Sequence, residues 1–232
     1  MQLRCPIQRF YLNNAYTCVI NQLYGENPNA FFYGPEGHTG IDFKTTGQVK
    51  FLRHFGDWKV ERREGFEVIG RIPIVACHDG TLVTSLHDDK KGYGWGIYVV
   101  AEPEESAGVE VQYRTLYWHI ETPWSSLASF AGAVNKTLRR IKVRAGAIIA
   151  IGGNNGKSTG PHLHLSLHKR SKVGGQWTSW YRINPMSFFN DSDILYQRYY
   201  GFGDNSDWFY EGQKIDRARV EEIKAKLPNV IN

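Results

Sequence analysis

Apolar and polar residues alternate along much of this chain, which is typical of β-strands with one buried face. The clearest run covers residues 162–168, where Leu163, Leu165 and Leu167 alternate with histidine and serine. Gly, Asp and Asn residues, which favour turns, separate this run from similar ones. Strands are predicted at residues 72–76, 81–85, 96–101, 109–119, 148–151 and 162–168. The pattern therefore predicts a mainly β domain.

Helical periodicity is confined to two regions. Residues 127–140 form the best helical candidate in the first 184 residues, because apolar side chains recur there at helical spacing. A second helix is predicted at residues 216–227, close to the end of the chain. Helices are therefore expected to be minor additions to the strands.

Length and composition agree with a folded protein built on one main core. The chain has 232 residues, of which 41% are hydrophobic and 14% aromatic, enough for one substantial core with a small appendage. No apolar run approaches the roughly 18 residues of a membrane-spanning helix, so no membrane span is predicted. The net charge of +5 favours approach to anionic surfaces by long-range attraction. No dense Lys/Arg run accompanies a nucleic-acid-binding motif, and we expect no nucleic-acid partner.

Two short patterns carry candidate metal ligands. His38 and Asp42 lie four residues apart near the start of the chain. If this segment is extended, both side chains share one face with Gly40, which leaves room for an ion between them. His162 and His164 share the polar face of a predicted strand, about 7 Å apart along it. That separation suits one metal ligand and one neighbour that acts on water or substrate.

These residue types favour a catalytic zinc site over a structural one. Catalytic zinc sites commonly have three protein ligands and an open fourth position, whereas structural sites have four ligands, often cysteines. Two histidines and one aspartate meet the first description. Isolated histidines are more often surface or hydrogen-bonded residues, so the prediction depends on the two patterns occurring together.

Together with the surrounding residues, the two patterns resemble the lysostaphin-like zinc endopeptidases, also called the LytM-domain family, which cut peptide bonds in peptidoglycan. The resemblance covers about residues 33–168. It is carried by residues 37–42 (GHTGID), 73–76 (PIVA), 79–83 (DGTLV), 117–120 (YWHI) and 143–164, which end in STGPHLH. It implies a compact antiparallel sheet with a zinc-bearing groove, extended at the C-terminus by a small segment with a helix.

The resemblance also implies roles for individual residues. His38, Asp42 and His164 would hold one Zn²⁺, and His119 and His162 would form the catalytic pair. The sequence leaves open which of the pair is the general base. Tyr33 matches, at a slightly different offset, a family tyrosine that contacts the developing oxyanion; a packing role for this aromatic is equally compatible with its position.

The remaining histidines are predicted to lie outside the site. His54, His78 and His87 belong to no pattern, so surface or hydrogen-bonding roles are expected. His168 shares the strand face with His164 but lies about 13 Å along it, too far to bind the same ion. Substrate contact or plain exposure is expected for His168. The Asp79–Gly80 pair is better explained by a turn than by catalysis.

The three cysteines give no metal or disulfide pattern. Cys5, Cys18 and Cys77 are an odd number without Cys-x-x-Cys spacing. Cys77 is expected to be a small buried apolar residue, and at most one bridge, between Cys5 and Cys18, is compatible with the sequence.

Three parts of the chain are expected. Residues 1–30 would pack on the domain, residues 31–184 would form the peptidase domain, and residues 185–232 would form an aromatic-rich extension. Segments 48–71 and 121–142 interrupt the family pattern and are expected to border the groove. The aromatics of the extension are expected to pack against the β domain; the alternative is a docking surface for a wall polymer or a phage structural protein.

The leading functional hypothesis is a zinc-dependent endopeptidase acting on a stem peptide or cross-link of bacterial peptidoglycan. The alternatives are a catalytically silent binding or regulatory module of the same fold, or a phage tail component carrying this domain. A silent member would be expected to lack ligands, and none of the five site residues is missing. No secretory signal is visible at the start, so action in the wall, periplasm or medium after lysis release or with a phage particle is expected.

Overall fold

The computed structural model describes most of the chain in ten segments. These are residues 1–7, 17–29, 34–45, 47–48, 60–63, 66–69, 72–88, 94–121, 140–200 and 206–227. Strands account for most of the regular structure of these segments, which also contain one α-helix and a 3-10 turn at Met186–Phe188. The prediction of a mainly β protein is therefore confirmed.

The strands are numbered in chain order. The first nine are β1 (Thr17–Gln22), β2 (Ile41–Lys44), β3 (Gly47–Gln48), β4 (Val60–Arg63), β5 (Phe66–Ile69), β6 (Pro73–Val75), β7 (Gly80–Asp88), β8 (Gly94–Val100) and β9 (Glu104–Ser106). The next six are β10 (Val109–Trp118), β11 (Arg140–Val143), β12 (Ile148–Ile151), β13 (His162–Val173), β14 (Gln176–Trp177) and β15 (Tyr181–Ile183). The C-terminal elements are β16 (Leu195–Tyr199), β17 (Ser206–Tyr210), β18 (Gln213–Ile215) and α1 (Arg217–Lys226).

All six strands predicted from alternation are present, as β6, β7, β8, β10, β12 and β13. The helix predicted at residues 216–227 is also confirmed, as α1. The helix predicted at residues 127–140 falls almost wholly outside the described residues, which resume at Arg140 in β11. Among the described residues, no helix is long and apolar enough to cross a membrane.

One large sheet carries the features that matter for function. Its strand order is β11-β7-β8-β10-β13-β2-β1-β16-β17-β18, with β9 paired to β10 and with β14 and β15 paired to β13. Strand β1 pairs with β16 in parallel, and both β10 and β2 pair with β13 in antiparallel fashion. Two smaller sheets are formed by β6 with β12 and by β3, β5 and β4. Strand β13 therefore lies between a strand from early in the chain and one from its middle.

The odd-numbered face of β13 supplies the centre of the core. Leu163, Leu165 and Leu167 are fully buried, as the period-two pattern predicts for a strand with one apolar face. Burying each such side chain stabilises the fold by about 1.5–3 kcal/mol. The three cysteines are buried in the same core as free thiols, and no bridge joins Cys5 to Cys18.

The C-terminal extension continues the sheet. Its first strand, β16, pairs with β1, and Tyr196 on β16 is fully buried against Phe43 and Phe189. Helix α1 begins after Asp216, whose side chain accepts a hydrogen bond from the Arg219 backbone N–H at 2.8 Å and so caps the helix. A separate small apolar cluster fixes α1 to the extension through Leu195, Val220, Ile223 and Leu227.

Tyr117 is predicted to stabilise the fold through its hydroxyl group. The side chain is fully buried, and its oxygen accepts a hydrogen bond from the Cys77 backbone N–H at 2.8 Å. Tyr117→Phe should lower the free energy of unfolding by about 1–3 kcal/mol, because the buried N–H loses its partner. Urea unfolding measures the change. Tyr113→Phe, on the same strand, is the matched control, and an equal effect of both substitutions would contradict the prediction.

Candidate metal centre

Three candidate ligands meet where β2 and β13 pair. Asp42 lies directly opposite His164 in the strand register, and both side chains project from the same face of the sheet. His38 reaches the same point from the segment before β2. Its Nε2 lies 3.0 Å from His164 Nδ1 and 3.1 Å from Asp42 Oδ1, and His164 Nδ1 lies 2.9 Å from Asp42 Oδ1. The three atoms form a nearly equilateral triangle.

Gly40 has a different role from the one expected. Residues 39–40 form a bend, and the strand begins only at Ile41. A Cβ atom on Gly40 would lie 2.4 Å from the Leu165 carbonyl oxygen and 2.8 Å from His164 Nε2. The glycine therefore allows the chain to pass close to β13 and the His164 ring, rather than leaving room for an ion.

Hydrogen bonds on the outer side of each imidazole determine which ring nitrogen carries the proton. His38 Nδ1 lies 3.1 Å from the Leu23 carbonyl oxygen, which can only accept, so this nitrogen donates and Nε2 is left as a lone pair. Ser166 Oγ donates to the Thr39 carbonyl oxygen at 3.1 Å and therefore accepts from His164 Nε2 at 2.9 Å. His164 Nδ1 is likewise left as a lone pair facing the triangle.

The protonation states suit metal binding. Burial favours the neutral form of Asp42, but the interactions with the His164 and His38 rings outweigh it and hold the pKa of this carboxyl well below its usual range. Burial lowers the pKa of His164, with the interaction with Asp42 acting in the opposite direction. Asp42 is thus ionised and His164 neutral near pH 7, which are the forms that bind a metal.

This donor set fits a zinc ion. Two imidazole nitrogens and one carboxylate oxygen lie close to one another, and His38, Asp42 and His164 are the group that could hold a metal ion among the described residues. In a tetrahedral site with bonds of 2.0–2.2 Å, ligand atoms lie about 3.3–3.6 Å apart, slightly farther than the observed spacings. Imidazole and carboxylate ligands with an open fourth position are typical of catalytic zinc.

His119 and His162 lie beside the triangle and face each other. Their ring centroids are 4.7 Å apart, and His162 Nε2 lies 3.5 Å from Asp42 Oδ2. His162 Nδ1 donates to the Gly160 carbonyl oxygen at 2.8 Å, and His119 Nδ1 donates to the Asn155 carbonyl oxygen at 2.6 Å. In its neutral form each histidine therefore has an unprotonated Nε2 that can accept a proton from water or substrate.

The backbone at His119 is unusual. It follows the last residue of β10 and has a φ of 61°, in the left-handed region that non-glycine residues seldom adopt. Such a conformation costs about 1–3 kcal/mol and is concentrated at functional sites. Burial lowers the pKa of His119 to about 4, so the ring stays neutral and able to accept a proton across the range above pH 5.

The structure brings five of the six predicted site residues together, namely His38, Asp42, His119, His162 and His164. Tyr33, like His54, lies outside the described residues, and its predicted contact with the oxyanion stays a prediction. The side chain of His87 is outside the described part of the chain as well.

The other two histidines are both buried. His78 has the hydrogen-bonding role expected of it, with Thr115 Oγ1 3.0 Å from its Nε2 and the Asp79 carbonyl 2.7 Å from its Nδ1. The expectation of plain exposure for His168 is wrong, because only 8% of this residue is accessible. Strands β10 and β15 pair with β13 at this residue, and the Arg114 guanidinium contacts its ring.

Several residues that orient the site carry no recognisable sequence signal. Ser166 lies on the same strand face as the two histidines, which is the only hint of its role. The orienting carbonyl groups of Leu23 and Asn155 belong to the backbone, and any residue type can supply one. Asn155 is itself fixed by a hydrogen bond from its side-chain amide to the Ile120 carbonyl oxygen at 2.8 Å.

Ser166→Ala is predicted to weaken zinc binding about 10- to 100-fold, the usual cost of losing a group that orients a ligand. The substitution leaves His164 Nε2–H without its acceptor, so the ring is no longer held with Nδ1 facing the metal. Competition with a chromogenic chelator measures the affinity. Ser171→Ala, on the same strand, is the control, and unchanged affinity in Ser166→Ala would contradict the tautomer assignment.

Arg198 is predicted to support His38 from the C-terminal extension. Its guanidinium contacts both carboxylate oxygens of Glu26, with Nη2 2.8 Å from Oε2. The backbone carbonyl of Glu26 in turn accepts the His38 N–H at 2.8 Å. In Arg198→Met the Glu26 backbone should no longer be held in the position that orients His38. Zinc binding should therefore weaken about tenfold. Arg219→Met, on the exposed surface of α1, is the control in the same chelator assay; equal affinities in the two variants would show that the extension does not support the site.

Comparison with known proteins gives structural matches only. The chain is similar to the catalytic domain of the antimicrobial peptidase lysostaphin from Staphylococcus simulans, with 21% identity, a TM-score of 0.41 and coverage of 78% of this chain and 97% of that one. It is also similar to the catalytic domain of a prophage-encoded M23 protein from Enterococcus faecalis, with 24% identity, a TM-score of 0.37 and coverage of 72% and 88%. A zinc-containing peptidase from Vibrio cholerae matches with 19% identity, a TM-score of 0.38 and coverage of 71% and 37%. No family model and no curated protein matches the sequence.

Proposed function

We propose that this protein is a lysostaphin-like zinc endopeptidase that hydrolyses peptide bonds of bacterial peptidoglycan. The observation that carries the proposal is the convergence of three candidate metal ligands beside two further histidines, His119 and His162. The motif resemblance supports the same function. A catalytically silent binding module has no need for His119 and His162 beside the metal ligands, so the geometry favours catalysis over that alternative.

The residues divide into two roles. His38, Asp42 and His164 would hold the zinc ion, which when bound acts as a Lewis acid and lowers the pKa of water towards 7. His162 and His119 would transfer protons, because each presents an unprotonated nitrogen to the same space. The hydrogen bonds that the two Nδ1–H groups donate to the Gly160 and Asn155 carbonyl oxygens keep both rings turned in this direction.

A cavity beside the site offers a place for one side of the substrate. Its volume is about 390 Å³, and its walls include Asp42 and His162 of the site. The remaining lining residues are mostly polar and are Asn21, Gln22, Lys44, Thr159, Gly160 and Pro161. Amide and hydroxyl groups of this kind can hydrogen-bond a peptide backbone and hold the scissile bond near the metal.

The place of action we propose is the cell wall, outside the membrane. Delivery by lysis or on a phage particle, and docking to phage tail proteins or anionic wall polymers, stay predictions that only the sequence supports.

Release of amino groups from purified peptidoglycan tests the function. Walls of several cross-link types are incubated with the wild type, with chelator-treated protein before and after zinc is restored, and with His164→Ala. Zinc-dependent release of new amino termini, absent in the variant, is the expected result, and mass analysis of the fragments identifies the bond. If folded, zinc-loaded protein released nothing from every wall type, the regulatory alternative would replace the proposal.

A further inference from the structure

The sheet face that carries the metal site continues along β13 to a group of arginines and tryptophans. In the antiparallel register, His164 lies opposite Trp118, His168 opposite Arg114, and Arg170 opposite Gln112. Paired residues of adjacent strands share a face, so these arginines lie on the metal side of the sheet. We refer to Arg114, Arg170, Trp177 and Trp180 as the Arg–Trp surface.

Aromatic rings hold two of the arginines in place. Trp180 contacts both, with its ring centroid 4.6 Å from Arg114 Cζ and 4.5 Å from Arg170 Cζ. A second ring packs on each guanidinium: Tyr98 lies 5.6 Å from Arg114, and Trp177 lies 4.6 Å from Arg170. Stacking of this kind immobilises a guanidinium while its N–H edge remains available for hydrogen bonding.

These cations are not neutralised by acidic side chains in the part of the chain that the structure describes. Arg114 Nη2 contacts the His168 ring at 3.3 Å, and its Nε is buried without a hydrogen-bond partner. Arg170 donates to the neutral Gln112 amide oxygen. By contrast, Lys172 at the far end of the surface pairs with Glu110 at 2.9 Å.

Burial and the neighbouring positive charge both lower the pKa of Arg114. Burial has the largest effect; the interaction with Tyr98 opposes this change, and the positive charge of Arg170 adds a smaller lowering. Buried charges in proteins are normally paired. Two adjacent, fixed guanidiniums with unused donors are the arrangement that binds a carboxylate through paired hydrogen bonds.

The distance from the metal site restricts the ligand. His168, opposite Arg114, lies four residues from His164, and Arg170 lies six residues away, which is about 13–20 Å along the strand. An extended peptide covers that distance with about four to six residues. An extended peptide that passes over the buried Ser166 and His168 side chains could therefore reach both places at once.

We propose that the Arg–Trp surface binds a free carboxylate of the peptide substrate, about four to six residues from the bond that is cut at the metal centre. The proposal rests on the proposed function for the identity of the substrate. Binding at the surface itself is independent of catalysis, so the two can fail separately.

Titration of isotopically labelled protein with two peptides tests the proposal. The probes are N-acetylated pentaalanine with a free C-terminal carboxylate and the same peptide with a C-terminal amide. The signals followed are the indole N–H groups of Trp177 and Trp180, assigned with Trp177→Phe and Trp180→Phe. Wild type is compared with Arg114→Gln, Arg170→Gln and Lys169→Gln. Lys169 is the matched control because it is a cation of the same strand that projects to the opposite face, against Tyr113.

The acid should bind about tenfold more tightly than the amide, as expected for hydrogen bonds to a charged group. Both arginine substitutions should remove this preference, whereas Lys169→Gln should keep it. If Arg114→Gln fails to fold, the Arg170→Gln variant alone provides the test, because Arg170 is only half-buried. Equal binding of acid and amide, no shift of either indole, or an equal loss in Lys169→Gln would overturn the proposal. Stronger competition by inorganic phosphate than by the peptide acid would assign the surface to a phosphate polymer and overturn it as well.

Discussion

The His164→Ala variant is expected to lose stable zinc binding and, with it, all zinc-dependent peptide hydrolysis. His164 Nδ1 lies 2.9–3.0 Å from both other ligand atoms, so its removal leaves one imidazole and one carboxylate. Loss of a group that only orients a ligand costs about 10- to 100-fold in affinity, and loss of the ligand itself should cost more. Zinc content after gel filtration and chelator competition measure the effect.

His38→Ala and Asp42→Ala are expected to behave in the same way, since each removes one corner of the same triangle. His78→Gln is a suitable control, because His78 is buried but belongs to a separate hydrogen-bond network with Thr115. That control should keep a full zinc content. Zinc retained at one ion per chain in His164→Ala would show that the three residues do not form the site.

His162→Ala should differ from the ligand variants in its zinc content: it should retain zinc and still lose hydrolysis. His162 Nε2 lies 3.5 Å from Asp42 Oδ2, close to the ligands but not among the three converging atoms. Proton transfer by a positioned side chain typically contributes 10²- to 10⁴-fold to the rate, so kcat of His162→Ala should fall by about that factor. Zinc content and rate are measured on the same preparation.

His119→Ala should also retain zinc and lose rate, and the comparison of the two variants separates their roles. Because the pKa of His119 is lowered to about 4, its protonation removes activity only as the pH falls towards that value. Loss of zinc from either variant would mean that the histidine is a ligand, contrary to the assignment made here.

The face of β13 was predictable from the sequence because strand alternation is a local property. Leu163 and Leu165 point to the core and His162 and His164 to the opposite side, as the period of two requires. The pairing of the two ligand segments could be inferred only through the motif resemblance. Nothing in the spacing alone places His38 next to a residue 126 positions later.

The supporting groups were not predictable because they depend on long-range contacts. Ser166 can orient His164 only because the Thr39 carbonyl, 127 residues earlier, accepts its hydroxyl hydrogen. The Asn155 carbonyl that orients His119 is 36 residues away and has no side-chain signature. The parallel pairing of β1 with β16 brings Arg198 to Glu26. This pairing could not be predicted from local sequence patterns either.

Anomalous diffraction from a crystal of the zinc-loaded protein tests the central claim most directly, because it locates the ion without assuming its ligands. We expect one peak per chain within about 2.0–2.2 Å of His38 Nε2, an Asp42 carboxylate oxygen and His164 Nδ1, with the rings of His119 and His162 close by but not bound. A peak coordinated by other residues, or no peak in crystals grown with excess zinc, would contradict the account.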